Sequence, residues 1–128
     1  MIVLCSNGLS GEMLLSQLRG KMVNCKRAAL VVTADNEYKE KNYHVPRCVA
    51  ELEALGLGVE LFDLDKQPAE LLSEYDVVEF IGGNPYYLLD SIRKHHAAPI
   101  LEEIARTKIL IGWSAAAFVF GPTLELVN

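Results

Sequence analysis

Five short apolar runs recur along the chain, at Ile2–Cys5, Ala28–Thr33, Val59–Phe62, Val77–Ile81 and Lys108–Ile111. Longer stretches with helical character separate them. The alternation of strand and helix at this spacing requires right-handed crossovers and a parallel sheet between two helix layers. The run Ala28–Thr33 is continuously apolar, as a strand covered on both faces must be. Between the runs, helices are predicted over about Glu12–Leu18, Asn36–Leu55 (with a break near Pro46), Pro68–Ser73, Pro85–Lys94 and Pro99–Arg106, and a last one opens at Ala115. The fold class that follows is α/β, three-layered, with a mostly parallel sheet and a flavodoxin-like core. With 128 residues, a single domain with one real core is expected. Ligands of such folds bind at the carboxyl ends of the strands. The loops to watch are therefore Ser6–Gly11, Gly82–Asn84 and Gly112–Ala115.

Charge and apolar content narrow the function classes. Twelve basic residues against seventeen acidic ones give a formal charge of −5, so a phosphate backbone is repelled and no nucleic-acid partner is expected. Runs such as Ile109–Ile111 are far too short to span a bilayer, and Met1–Cys5 lacks the basic flank and length of a secretion signal. A cytoplasmic protein without a membrane partner is the expectation. Cys5, Cys25 and Cys48 are odd in number and lack CxxC spacing, which argues for reduced thiols and against a zinc site. No metal or cofactor is expected.

Two of the strand-end loops carry chemistry. Gly112-Trp113-Ser114-Ala115-Ala116 lies between a buried strand and a helix of small residues, the setting of a nucleophile elbow. There a serine sits on a tight turn, and the helix N-terminus directs free N–H groups toward a developing oxyanion. The competing reading is a serine that only caps the last helix. In Phe80-Ile81-Gly82-Gly83-Asn84, two glycines let the backbone approach a ligand closely. Alternatively they form an ordinary tight turn, with Asn84 as a helix cap. A nucleophilic and a donating loop together are the minimum for acyl transfer.

At these loops the chain resembles the peptidase E family of aspartyl dipeptidases. Ile111-Gly-Trp-Ser-Ala-Ala-Ala-Phe-Val-Phe-Gly-Pro-Thr123 is similar to that family's GWSAGA segment with its following Pro-Thr. Phe80-Ile-Gly-Gly-Asn-Pro-Tyr-Tyr-Leu-Leu89 resembles its GGN loop, and Leu4-Cys-Ser-Asn-Gly8 its Ser-Asn start. The likeness runs collinearly over essentially the whole chain. It implies a fold like class I glutamine amidotransferases and hydrolysis of dipeptides with N-terminal aspartate. It also implies Ser114 as nucleophile, and an oxyanion hole from the N–H groups of Ala115 and Gly83, with Gly82 and Asn84 shaping the substrate loop. A small peptide is then the partner. Ala116 departs from the family's glycine. The family's histidine and acid lie beyond the Pro-Thr segment, and this chain stops at Asn128, so it reads as the N-terminal portion of a longer domain. Self-association or a retained C-terminal fragment is expected to cover the surface left open.

Within the chain no histidine stands out as the base. His44 reads as a surface residue beside Pro46, and His95-His96 as helix-ending residues at the sheet's amino edge, away from Ser114. Asp63 and Asp65 follow the third strand where a phospho-acceptor could sit, but Cys5-Ser6-Asn7 lacks the acidic pair that a receiver domain needs. Ser6–Gly11 could cradle a phosphate, which would make a flavin-binding protein. A binding or assembly module that keeps the elbow without the base is the main alternative to the peptidase.

Overall fold

The computed structural model describes residues 1–5, 18–114, 116, 117, 119 and 120. Five strands form one sheet: β1 (Ile2–Cys5), β2 (Arg27–Val31), β3 (Gly58–Phe62), β4 (Val77–Phe80) and β5 (Ile109–Trp113), in the order β1-β5-β4-β2-β3. Every pairing is parallel. Three α-helices are bounded on both sides: α1 (Val45–Ala54), α2 (Pro85–Lys94) and α3 (Ala98–Thr107). Residues 18–21, 116–117 and 119–120 are also helical. The predicted Glu12–Leu18 helix and the Ser6–Gly11 loop fall mostly or wholly outside the described residues.

Apolar side chains divide between the two faces of the sheet, giving the α/β/α sandwich. One face packs Ala29, Val31, Val78, Phe80 and Leu110 against Leu88 and Ile92 of α2, Leu101 and Ile104 of α3, and Phe120. The other packs Ala28, Leu30, Val77, Ile81, Ile109, Ile111 and Trp113 against Cys48 and Leu52 of α1, with Leu18 and Met22. Crossovers that advance along the sheet, from β1 to β2 and β2 to β3, run over this second face. Those that return, from β3 to β4 and β4 to β5, run over the first. Reversing both direction and face preserves one hand, as sheet twist demands. Chain segments leaving adjacent strands β4 and β2 consequently part to opposite faces, which opens a crevice at their carboxyl ends.

Three expectations are corrected. The long helix over Asn36–Leu55 is in fact a 3-10 turn at Lys39–Lys41 followed by α1, which begins only at Val45. Asp35 Oδ1 accepts from the N–H groups of Glu37 and Tyr38, Asn42 Nδ2 donates to Asp35 Oδ2, and Asn42 Oδ1 accepts from His44 N–H. These short-range bonds satisfy the backbone outside a helix. The element predicted after Pro68 is a 3-10 helix, Ala69–Glu74. The last strand continues past Ile111 to Trp113, since β1 pairs with it as far as Cys5 opposite Trp113.

Candidate active site

Ser114 immediately follows β5. Its φ is 56°, left-handed for a side chain with a Cβ, a conformation that costs of order 1–3 kcal/mol and persists only where its surroundings enforce it. The residue is exposed. The enforcing neighbour is the end of β4: a Cβ placed on Gly82 would lie 2.8 Å from Ser114 Cβ, 3.2 Å from Ser114 Oγ and 3.3 Å from Trp113 Cζ3. Only glycine leaves the serine room. Next along the edge, a Cβ on Gly83 would strike the Ala34 carbonyl oxygen at 2.4 Å, and Asn84 N–H donates to that same oxygen at 2.9 Å. The Gly82–Asn84 loop is thus laced to the end of β2 on one side and presses on Ser114 on the other.

Asn84 is the N-cap of α2, its Oδ1 accepting from Tyr86 N–H at 2.9 Å and Tyr87 N–H at 3.1 Å. That oxygen is committed to the helix, which leaves the amide nitrogen for other partners. Ala115 lies outside the described residues. Ala116, where the resemblance leads one to expect glycine, is fully buried. The ring of Phe120 closes over Gly112, 2.5 Å from where a Cβ would stand.

The histidines are not placed as the sequence suggested. His44 is half-buried at the N-cap of α1, and its ring meets the Trp113 indole edge-on, with centroids 5.3 Å apart. Tyr43, exposed, stacks on it at 3.9 Å, and the Arg47 guanidinium lies 3.2 Å from its Nδ1 and 5.7 Å from the centre of the Trp113 ring. His44 therefore flanks the residue next to Ser114. His95 does end α2, but its Nε2 lies 3.1 Å from Asp65 Oδ1. Asp65 also takes hydrogen bonds from Tyr87 and Ser91 and pairs with Lys39 at 2.9 Å. Burial works against ionisation of Asp65, but the bonds from Tyr87, Lys39 and Ser91 outweigh it and hold the carboxyl well below the usual carboxylate range. Asp63 pairs with the same lysine at 3.2 Å and accepts from Thr33 Oγ1. The carboxylates after β3 thus share one lysine in a hydrogen-bonded network. Among the described residues no group of three or more potential ligands could hold a metal ion, and no helix is long and apolar enough to cross a membrane.

Sequence reading missed Glu79. It is fully buried in the middle of β4, and its Oε2 accepts from Trp113 Nε1 at 3.0 Å. Burial and the neighbouring charge of Glu51 push its carboxyl up to about 8, against the bonds from Trp113 and Cys48 and the charge of Arg47. The signal was present: an acid interrupts the apolar run Val77–Ile81.

Known proteins share this fold. The profile of peptidase family S51 matches residues 2–128. The chain is 32% identical over 118 residues to the uncharacterized peptidase Lmo0363 of Listeria monocytogenes serovar 1/2a, covering 88% of this chain and 55% of that protein. It is 31% identical over 115 residues to peptidase E of Pasteurella multocida, covering 89% and 47%. It spans about half the length of the curated relatives it matches. Among solved structures, a Listeria monocytogenes EGD-e protein provisionally assigned to peptidase E superposes with a TM-score of 0.74 at 25% identity, covering 99% of this chain and 71% of that one. A peptidase from an acI-B1 actinobacterium shares the fold, with a TM-score of 0.73 at 18% identity over 93% of this chain and 55% of its own. The sandwich is that of the peptidase E and class I glutamine amidotransferase-like proteins, and the chain belongs to peptidase family S51.

Proposed function

We propose that this chain carries the nucleophile-bearing part of a serine-type peptidase that hydrolyses dipeptides with N-terminal aspartate. The observation that carries the reading is Ser114 itself: exposed, at φ 56°, at the end of β5, and wedged against a glycine. A strained serine at a strand-to-helix turn presents its Oγ clear of the sheet, where a carbonyl can approach. In the proposed reaction Oγ attacks the scissile carbonyl and the N–H groups of Gly83 and Ala115 receive the oxyanion. Loss of one such donor costs about 10²–10³ in rate. The helix that starts behind Ser114 adds its positive end.

A serine hydroxyl needs a base within reach. Among the described residues no histidine hydrogen-bonds Ser114, and His95 has its partner in Asp65. The resemblance puts the histidine and its acid beyond Pro122-Thr123, and in this reading the rest of a protein of the relatives' length supplies them. The same observation favours the second reading, a binding module without turnover. Hydrolysis of an aspartyl p-nitroanilide separates the two, assayed with this chain and with a protein of the relatives' full length. Turnover that Ser114→Ala abolishes supports the peptidase. Turnover that survives the substitution overturns Ser114 as nucleophile, and absence of turnover from both proteins supports the binding module.

A further inference from the structure

Glu79 has no part in the proposed chemistry, yet it sits behind the candidate nucleophile. Its partners across the sheet are apolar on both sides, Leu30 on β2 and Ile111 on β5. From β5, Trp113 offers it an indole N–H. From α1, the Cys48 thiol hydrogen-bonds the same carboxyl, and the charges of Arg47 and Glu51 face it from the same helix. Glu79 Oε1 has no hydrogen-bond partner among the described residues. A carboxylate so enclosed is expensive to charge, and a carboxylic acid is not.

What Glu79 holds matters to Ser114. Trp113 Cζ3 and Ser114 Oγ both border the space above Gly82, so the indole and the serine side chain share that space. His44 and Arg47 flank the ring on the α1 side, and Glu79 anchors its nitrogen. We propose that Glu79 is a positioning residue: its carboxyl seats Trp113 against Gly82 and Ser114 through the indole N–H, and a change in its protonation state shifts that seat. The inference rests on the reading of Ser114 as a nucleophile. Ionisation places a charge between two apolar strands, facing Glu51 and held mainly by the indole N–H. The carboxylate draws the indole N–H in more strongly, and the indole moves with it.

Trp113 is the sole tryptophan, so its fluorescence reports the seat independently of any activity. The full chain is titrated between roughly pH 6 and 9, where ordinary tyrosines stay largely protonated, and below the Cys48 thiol, which burial and the Glu79 charge push up to about 12. We expect a transition in Trp113 emission centred near the Glu79 value of about 8. It is lost in Glu79→Gln and retained in His44→Gln, which removes the other titratable ring beside the indole. The labelling rate of Ser114 by a fluorophosphonate changes about tenfold across the same midpoint, and becomes flat in Glu79→Gln. A featureless wild-type titration overturns the proposal, as does a transition that survives Glu79→Gln or vanishes with His44→Gln. A fluorescence transition with pH-independent labelling also overturns it. If Glu79→Gln fails to fold, the wild-type and His44→Gln titrations still decide. A normal Trp113 transition with no labelling at any pH, in this chain and in a protein of the relatives' full length, upholds the Glu79–Trp113 seat and refutes the nucleophile instead.

Discussion

At the scale of single residues, Ser114 and Gly82 are a matched pair, and each half yields a prediction. The backbone of Ser114 pays a penalty for φ 56°, which glycine would not incur. Ser114→Gly should therefore raise the urea midpoint by the equivalent of about 1 kcal/mol while abolishing any reaction at this position. Ser114→Ala, which keeps a Cβ, should show no such gain; equal midpoints for the two variants would contradict the strain. Gly82→Ala places a methyl 2.8 Å from Ser114 Cβ and 3.3 Å from the Trp113 ring, which cannot both stay. We expect a loss of about 1–3 kcal/mol from overpacking and slower fluorophosphonate labelling of Ser114. Both residues were legible in the sequence because an elbow and a glycine pair leave a short, local pattern. The Trp113–Glu79–His44 cluster was not, since its members lie on β5, β4 and the start of α1, which meet only after folding. An acid in the middle of an apolar run was the one hint, and it said that Glu79 was unusual without naming its partners.

At the scale of elements, legibility followed how local the deciding interactions were. Helix α2 was read with its observed bounds because Asn84 and Pro85 form a complete start signal, and the Asn84 cap is present. Asn84→Ala should cost about 1 kcal/mol, read as a lower thermal midpoint, whereas Asn84→Asp keeps the acceptor and should lose little. A loss confined to Asn84→Asp would contradict the cap. The segment ahead of α1 failed for the opposite reason. Its charged and polar residues suit a solvated helix face, but Asp35 and Asn42 capture backbone N–H groups over two or three residues and hold the chain in turns. Lys39, at φ 50°, is drawn instead to Asp63 and Asp65, a tertiary pairing that no local window contains. That break frees His44 to stand at the head of α1 against Trp113. The misjudged helix and the misplaced histidine are thus one error.

At the scale of the whole molecule, strand-helix alternation made the parallel sandwich legible. The order β1-β5-β4-β2-β3 was not, because it depends on which faces the crossovers choose. That order puts Glu79 on a central strand with neighbours on both sides, and so sets how stability responds to pH. Glu79 binds its proton more tightly folded, at about 8, than its ordinary value of 4.5. Between those values the native state holds a proton that the unfolded chain has lost, so the contribution is fully present below about pH 4.5 and drains away as pH rises to about 8. The slope approaches about 1.4 kcal/mol per pH unit. Asp65 has the opposite sign. Its folded value is depressed, so its contribution is present above its ordinary value of 3.8 and is lost as pH falls through the lowered one. Urea midpoints should therefore peak between these two ranges and decline on both sides. Glu79→Gln should flatten the alkaline decline and leave the acid one, and Asp65→Asn should soften the acid decline and leave the alkaline one. An alkaline decline unchanged in Glu79→Gln would place its cause elsewhere in the molecule and remove the thermodynamic basis for a proton held beneath Trp113.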